Sequence, residues 1–139
     1  MIDKKQLMEI DEVADEIDAA LKDIRGLAAH QKRLAFCLSA GAIEILEKYL
    51  KKEGVLRTGI KLNHQWFKKS KINVKEILAE KATISLGSLG GLDMILDAVY
   101  KIESKRNELI YGKQVSEEEL RELLNQYLKI KKEVEKNGI

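Results

Sequence analysis

Apolar residues along this chain recur in steps of three and four, the period of an amphipathic helix and not the alternation of a strand. Leu7, Ile10, Ala14, Ile17, Leu21 and Ile24 make the first such stripe, which Gly26 ends. A second helix is predicted from about Ala28 to Lys52, with Gly54 as its stop. Its apolar face is broad (Leu34, Cys37, Leu38, Gly41, Ala42, Ile45, Leu46, Tyr49), which marks it as the central helix. The small residues Ser39 to Ala42 permit close approach of a neighbouring backbone, including that of a second copy.

Between Val55 and Ser88 the period weakens. Arg57-Thr58-Gly59 reads as a turn, and Asn63 as the cap of a short helix carrying Trp66 and Phe67. Asn73 precedes a third helix, with Glu76 in the capping-box place and Val74, Ile77 and Leu78 facing inward. Gly87, Gly90 and Gly91 punctuate a loop in which Ser88 is a candidate cap. The fourth helix carries Leu92, Ile95, Val99, Ile102, Arg106 and Leu109 at strict spacing and stops at Gly112. Ser116-Glu117-Glu118-Glu119 opens a last helix that turns Leu120, Leu123, Tyr127, Ile130 and Val134 inward. The expectation is an all-α, antiparallel up-and-down bundle of four to five helices, one domain over residues 1–139.

Composition narrows the function classes. With 45% apolar and 35% charged residues the chain supports one core and is not disordered. No apolar run approaches the ~20 residues of a membrane span, and Met1 to Lys5 lacks the apolar stretch of a signal peptide, so a cytoplasmic protein is expected. The absence of proline beside abundant Lys, Glu and Ile leans toward a thermophile. One cysteine, Cys37, sits in an apolar run and reads as a buried small hydrophobe; His30 stands two helical turns from it, about 10 Å along the axis. With only His30 and His64 beside it, no metal-ligand spacing exists. Gly87-x-x-Gly90-Gly91 lacks the lysine and strand of a phosphate loop, so no cofactor is expected, and no Ser/His/Asp arrangement is legible. Net charge is only +2, yet the first helix is acidic and the middle of the chain basic. Within that basic stretch Trp66 could stack a base while Lys61, Lys68, Lys69 and Lys71 hold phosphates; the plainer reading is a core tryptophan beside a solvated face. His64 reads as a surface residue next to a cap.

The most informative position is Arg106, which stands where the stripe calls for another Leu or Ile. An arginine there either faces a cleft or interface, or marks where the stripe rolls off the core. Beside it Tyr100, Glu103, Asn107 and Tyr111 share a second face, where Glu103 could pair with Arg106 or accept a hydrogen bond from Asn107.

Ser104-Lys105-Arg106-Asn107-Glu108-Leu109-Ile110-Tyr111-Gly112, followed closely by a capped terminal helix, resembles the signature of the HEPN superfamily, the small helical higher-eukaryote and prokaryote nucleotide-binding domains. The likeness is carried most specifically by Arg106-Asn107 and Leu109-Ile110, and extends loosely to the second helix through Ala35-Phe36 and Gly41-Ala42-Ile43-Glu44. It implies a homodimer whose arginine motifs face each other across a cleft, and, in active members, metal-independent cleavage of RNA. There the arginine would hold phosphate, its polar neighbour would orient groups, and a histidine would do acid–base work. Other members are inactive, or belong to toxin–antitoxin and defence systems beside a small nucleotidyltransferase partner.

This chain departs from the signature where the histidine belongs: positions 111 to 113 hold Tyr111, Gly112 and Lys113. A phenol with a pKa near 10 is a poor general base at neutral pH. The expectation is therefore a HEPN-like homodimer that binds RNA or a nucleotide-related partner with little or no catalysis, its candidate residues Arg106, Asn107, Tyr111 and a supporting Glu103. A structural helical adaptor with no nucleic-acid role is one alternative. A ribonuclease that uses Tyr111 in place of the histidine is the other.

Overall fold

A computed structural model describes residues 4–56, 61–68, 70–82 and 90–136, and every regular element among them is helical. Five α-helices follow in order: α1 Lys4–Lys22, α2 Gln31–Lys52, α3 Lys71–Lys81, α4 Leu92–Tyr111 and α5 Glu117–Lys136. Two short 3-10 helices stand between them, Leu27–His30 and His64–Lys68. Helix α2 is central, packing against α1, α4 and α5. The pairings Gln31–Leu109, Phe36–Arg106 and Ser39–Glu103 run α4 antiparallel to α2, and the short connection after Lys22 folds α2 back against α1. The connection from α2 to α4 is long and carries α3 and the second 3-10 helix, so the bundle alternates up and down without being linked by short loops throughout.

The core follows the expected stripes. Leu92, Ile95, Val99, Ile102 and Leu109 of α4 are buried, as are Leu120, Leu123, Tyr127, Ile130 and Val134 of α5. Ser116 caps α5, its Oγ accepting the Glu119 N–H at 3.1 Å. Two boundaries are corrected. The third helix starts at Lys71, because Ser70 is its cap and accepts the Asn73 N–H at 3.0 Å; the Asn73 side chain instead donates to the Trp66 carbonyl. On α1 the buried face is Val13, Ile17 and Ala20, leaving Leu21 and Ile24 exposed. The chain has already left the helix at Asp23, whose carboxylate accepts the Arg25 N–H at 2.8 Å, so Ile24 cannot continue a helical stripe. The turn expected at Arg57 to Gly59 and the Ser88 cap lie outside the described residues.

Three of the small residues expected to admit a close neighbour on α2 do so inside the chain, while Ala40 is exposed. Ser39, Gly41 and Ala42 are buried within the bundle, and a Cβ at Gly41 would sit 2.8 Å from the Tyr127 ring. At Gly26, φ is +87°, and a Cβ would meet the Glu117 carboxylate that receives the N–H groups of Leu27 and Ala28.

At the α1–α2 turn, His30 is only 7% exposed, with Nδ1 2.8 Å from Glu16 and Nε2 2.8 Å from Asp23. Hydrogen bonds to Glu16 and then Asp23 raise the imidazole pKa against the opposing effect of burial. The Asp23 carboxyl is held far below its usual range, chiefly by hydrogen bonds from Arg25. Burial alone would raise Glu16, but its bonds from His30 and Arg33 outweigh that and lower it.

Two outcomes are expected. An ordinary Gly→Ala change in a helix gains about 1 kcal/mol of propensity; at Gly41 the clash with Tyr127 costs about 1–3 kcal/mol, so Gly41→Ala should lower the melting temperature, and a rise would contradict this packing. The His30 cluster makes stability pH-dependent with a definite sign. A raised histidine pKa stabilises fully below its unfolded value of 6.5, and that contribution is lost as pH climbs through the folded value. The lowered carboxylates act at the other end, their contribution vanishing as pH falls below the unfolded range near 4. Urea midpoints should therefore decline from about pH 6 toward pH 9, and the decline should be weaker in His30→Gln.

Candidate functional site

Helices α2 and α4 meet in an antiparallel register, so one turn forward on the first faces one turn back on the second. Phe36 faces Arg106, and Ser39 faces Glu103. This ladder sets two charged side chains of α4 against α2.

At the first rung, Arg106 is half-buried, with its guanidinium carbon 5.3 Å from the centroid of the Phe36 ring. Phe36 is itself 48% exposed, so the ring is open to a further ligand. Arg106 Nε is buried without a hydrogen-bond partner, and the side chain meets no carboxylate among the described residues. A cation over an exposed ring gains about 0.5–1 kcal/mol. A buried donor left unmade costs about 1–3 kcal/mol, and more on a charged group. The second magnitude is the larger, so an acceptor at this donor would stabilise the arrangement, and an anion is the acceptor a guanidinium fits best.

At the second rung the Glu103 carboxylate is almost wholly buried, with 4% of its side chain exposed. It accepts a 2.6 Å hydrogen bond from the Ser39 hydroxyl and lies 3.0 Å from His64 Nδ1 through both oxygens. Glu103 therefore pairs with neither Arg106 nor Asn107, because Ser39 and His64 already occupy its oxygens. The single hydroxyl proton of buried Ser39 goes to the carboxylate, so Ser39 is a supporting donor and not a nucleophile. His64 keeps 43% of its side chain exposed. With Nδ1–H held by the carboxylate, Nε2 is the nitrogen left for a ligand.

What brings His64 there is the 3-10 helix that starts with it. Leu62 and Phe67 anchor the segment in the core, and the buried Glu47 carboxylate accepts the Leu62 N–H. Asn63 caps the turn as expected, its side chain accepting the Gln65 N–H at 2.8 Å. This short helix packs on both α3 and α4. His64 stands next to the cap, as expected, and its ring points to Glu103. The cluster joins residues 39, 64 and 103 from three elements, and no local spacing announces it.

The remaining candidates are scattered. Asn107 is exposed, and Tyr111 is 82% exposed at the last residue of α4, five positions and well over 100° around the helix from Arg106. Lys61 is exposed. Trp66 is half-buried against the core, with the Lys81 ammonium 5.8 Å above its ring, so that face is already covered. Lys68 closes the second 3-10 helix and Lys71 opens α3; Lys69 lies outside the described residues. Burial, with Glu16 and Glu12 nearby, pushes the Cys37 thiol up and away from reactivity. Among the described residues no cluster of three His, Cys, Asp or Glu side chains is placed to hold a metal ion, and no helix is long and apolar enough to cross a membrane. A groove of about 340 Å³ between α4 and α5, lined by Lys101, Ser104, Leu109, Glu119 and Leu123 among others, includes neither Arg106 nor His64.

No protein-family model, curated protein or solved structure matches this chain.

The hydrogen bond to Glu103 has a spectroscopic consequence. Neutral His64 should be the Nδ1–H tautomer, and Glu103→Gln should weaken that preference. Long-range ¹H–¹⁵N correlation reads the tautomer directly, and an Nε2–H ring in the unmodified protein would contradict the geometry.

Proposed function

We propose that this chain is a HEPN-like helical domain that binds RNA, or the phosphate of a nucleotide-bearing partner, at the Phe36–Arg106 rung. The observation that carries the reading is the unpaired guanidinium of Arg106, lodged on an apolar stripe and stacked on an open aromatic ring. Such a pair offers a charged fork for a phosphate and a flat face for a base. The likeness to the HEPN signature supports the same assignment, since Arg106 holds the signature's arginine position near the end of a long helix followed by a capped one. On this reading the working unit is a homodimer. Ser39, Gly41 and Ala42 are taken up inside the bundle, and the two-fold contact would set the Arg106 rungs toward a shared cleft. A role in a toxin–antitoxin or defence pair, with a nucleotidyltransferase as partner, belongs to the same proposal.

The test is fluorescence anisotropy with a labelled single-stranded RNA. Binding should weaken steeply between about 50 and 200 mM salt as counterions are released. Arg106→Ala should weaken it at least tenfold, and Phe36→Ala should cost the stacking contribution of about 1–3 kcal/mol. Lys61→Ala should cost less than either. Absence of binding at low salt, or affinity indifferent to Arg106, would leave the helical adaptor as the better account.

A further inference from the structure

We propose that the joint between α1 and α2 is a proton-operated clasp. Protonated His30 ties Glu16 of α1 to Asp23 of the turn; loss of its Nδ1 proton hands that nitrogen to Arg33 and lets α1 lift from a bundle that otherwise stays closed. The device is independent of the RNA-binding reading, since none of its residues belongs to the Phe36–Arg106 rung.

Geometry sets the charge of the closed form. Both ring nitrogens of His30 lie 2.8 Å from a carboxylate oxygen, Nδ1 from Glu16 and Nε2 from Asp23. An ionised carboxylate only accepts, so both nitrogens donate and the ring is an imidazolium. Its bonds to the two acids raise its pKa, which places the transition above the ordinary histidine range. A neutral imidazole has one N–H and can serve only one of the two carboxylates. Arg33 decides which, because its Nη2 stands 3.1 Å from Nδ1. Beside the imidazolium that contact sets two cations together. Beside a neutral ring it becomes a hydrogen bond that the guanidinium donates. Nε2 instead faces the Asp23 carboxylate, so the proton leaves from Nδ1 and the neutral ring is the Nε2–H tautomer.

The consequence falls on α1. Without its proton, Nδ1 turns a lone pair toward Glu16 Oε1, and a part-buried bond gives way to repulsion. Glu16 keeps the Arg33 Nε–H at 3.1 Å, but that arginine side chain is 59% exposed, and ion pairs open to water hold little. Asp23 keeps both the Nε2–H and the guanidinium of Arg25, so the turn stays in place. Among the side chains described on α1 only Val13, Ile17 and Ala20 are buried, whereas α4 buries eight. The first helix is thus the lightly anchored one. The other charged groups around the joint are Glu12 of α1, Arg25 of the turn, Lys32 of α2 and Glu117 of α5. Carboxylates, ammoniums and guanidiniums ordinarily titrate outside about pH 6–9, and burial pushes the Cys37 thiol up. Lifting α1 uncovers the flank of α2 around that half-buried thiol, which lies near Glu12 and Glu16.

Native-state hydrogen exchange on the full chain between about pH 6 and 9, with intrinsic rates divided out, tests the clasp. Amides of residues 10–22 should be less protected than those of α4 and α5 at every pH. Their protection should fall about tenfold or more across the range, and His30→Gln should abolish most of that fall. Long-range ¹H–¹⁵N correlation on the unmodified protein reads the ring itself: two N–H groups at low pH, the Nε2–H tautomer at high pH. Arg33→Gln removes the cation that opposes the imidazolium, so the His30 titration should move to higher pH. A histidine that merely filled space would not respond to that change. A neutral Nδ1–H ring, α1 amides that open only together with the core, or α1 protection indifferent to pH overturns the proposal and leaves the RNA-binding reading untouched.

Discussion

A polar side chain buried in a protein has to find its hydrogen bonds within the protein, and the central helix carries three such residues. Gln31, Ser39 and Glu47 of α2 are each all but inaccessible. Each obtains its partners from a segment distant in sequence, and by doing so fixes that segment. Gln31 donates to the carbonyls of Leu109 and Lys113 and accepts from Gln114 and the Val115 N–H, which locks the turn between α4 and α5. Ser39 holds Glu103. Glu47 holds the chain just before His64. The irregular parts of the structure are thus arranged around the polar exceptions on one apolar helix.

That constraint explains why the two rungs behave differently. Glu103 could be buried because α2 and the short helix at residue 64 both supply donors. Arg106, one turn on, stacks on Phe36, whose ring attracts a cation but accepts no conventional hydrogen bond. The same interface therefore contains a satisfied anion and an unsatisfied cation side by side. Charge neutrality across the pair is not reached through a direct ion pair between them, because the carboxylate is already committed.

The bundle was legible because its helices are long and their apolar periods strong, above all in α4 and α5, where every stripe residue except Arg106 is buried. On α1 the buried face of Val13, Ile17 and Ala20 lies a fraction of a turn from the stripe the spacing suggests, since its apolar residues cover a wider arc than its neighbours hide. At α3 two asparagine or serine caps competed, and Ser70 won because it precedes the helix while Asn73 is drawn to the Trp66 carbonyl. Arg106 announced itself by breaking a pattern. His64 did not, because its meaning depends on residues 25 positions before and 39 after it, and periodicity carries no information over such separations.

The turn at Leu27 to His30 receives its N-terminal cap from Glu117, 90 residues away. In an ideal-chain estimate, closing a loop of that length costs about 4 kcal/mol of entropy, of the same size as the ~3–6 kcal/mol that two hydrogen bonds to a carboxylate return. The cap alone therefore gains little over the cost of closure, and the apolar faces that α2 and α5 bury against each other supply the rest of what holds the two segments together. The Glu117 contact thus fastens a turn near one end of the chain to the last helix, and if the core docks first and this contact closes afterwards, it would act as a latch that slows opening more than it hastens assembly.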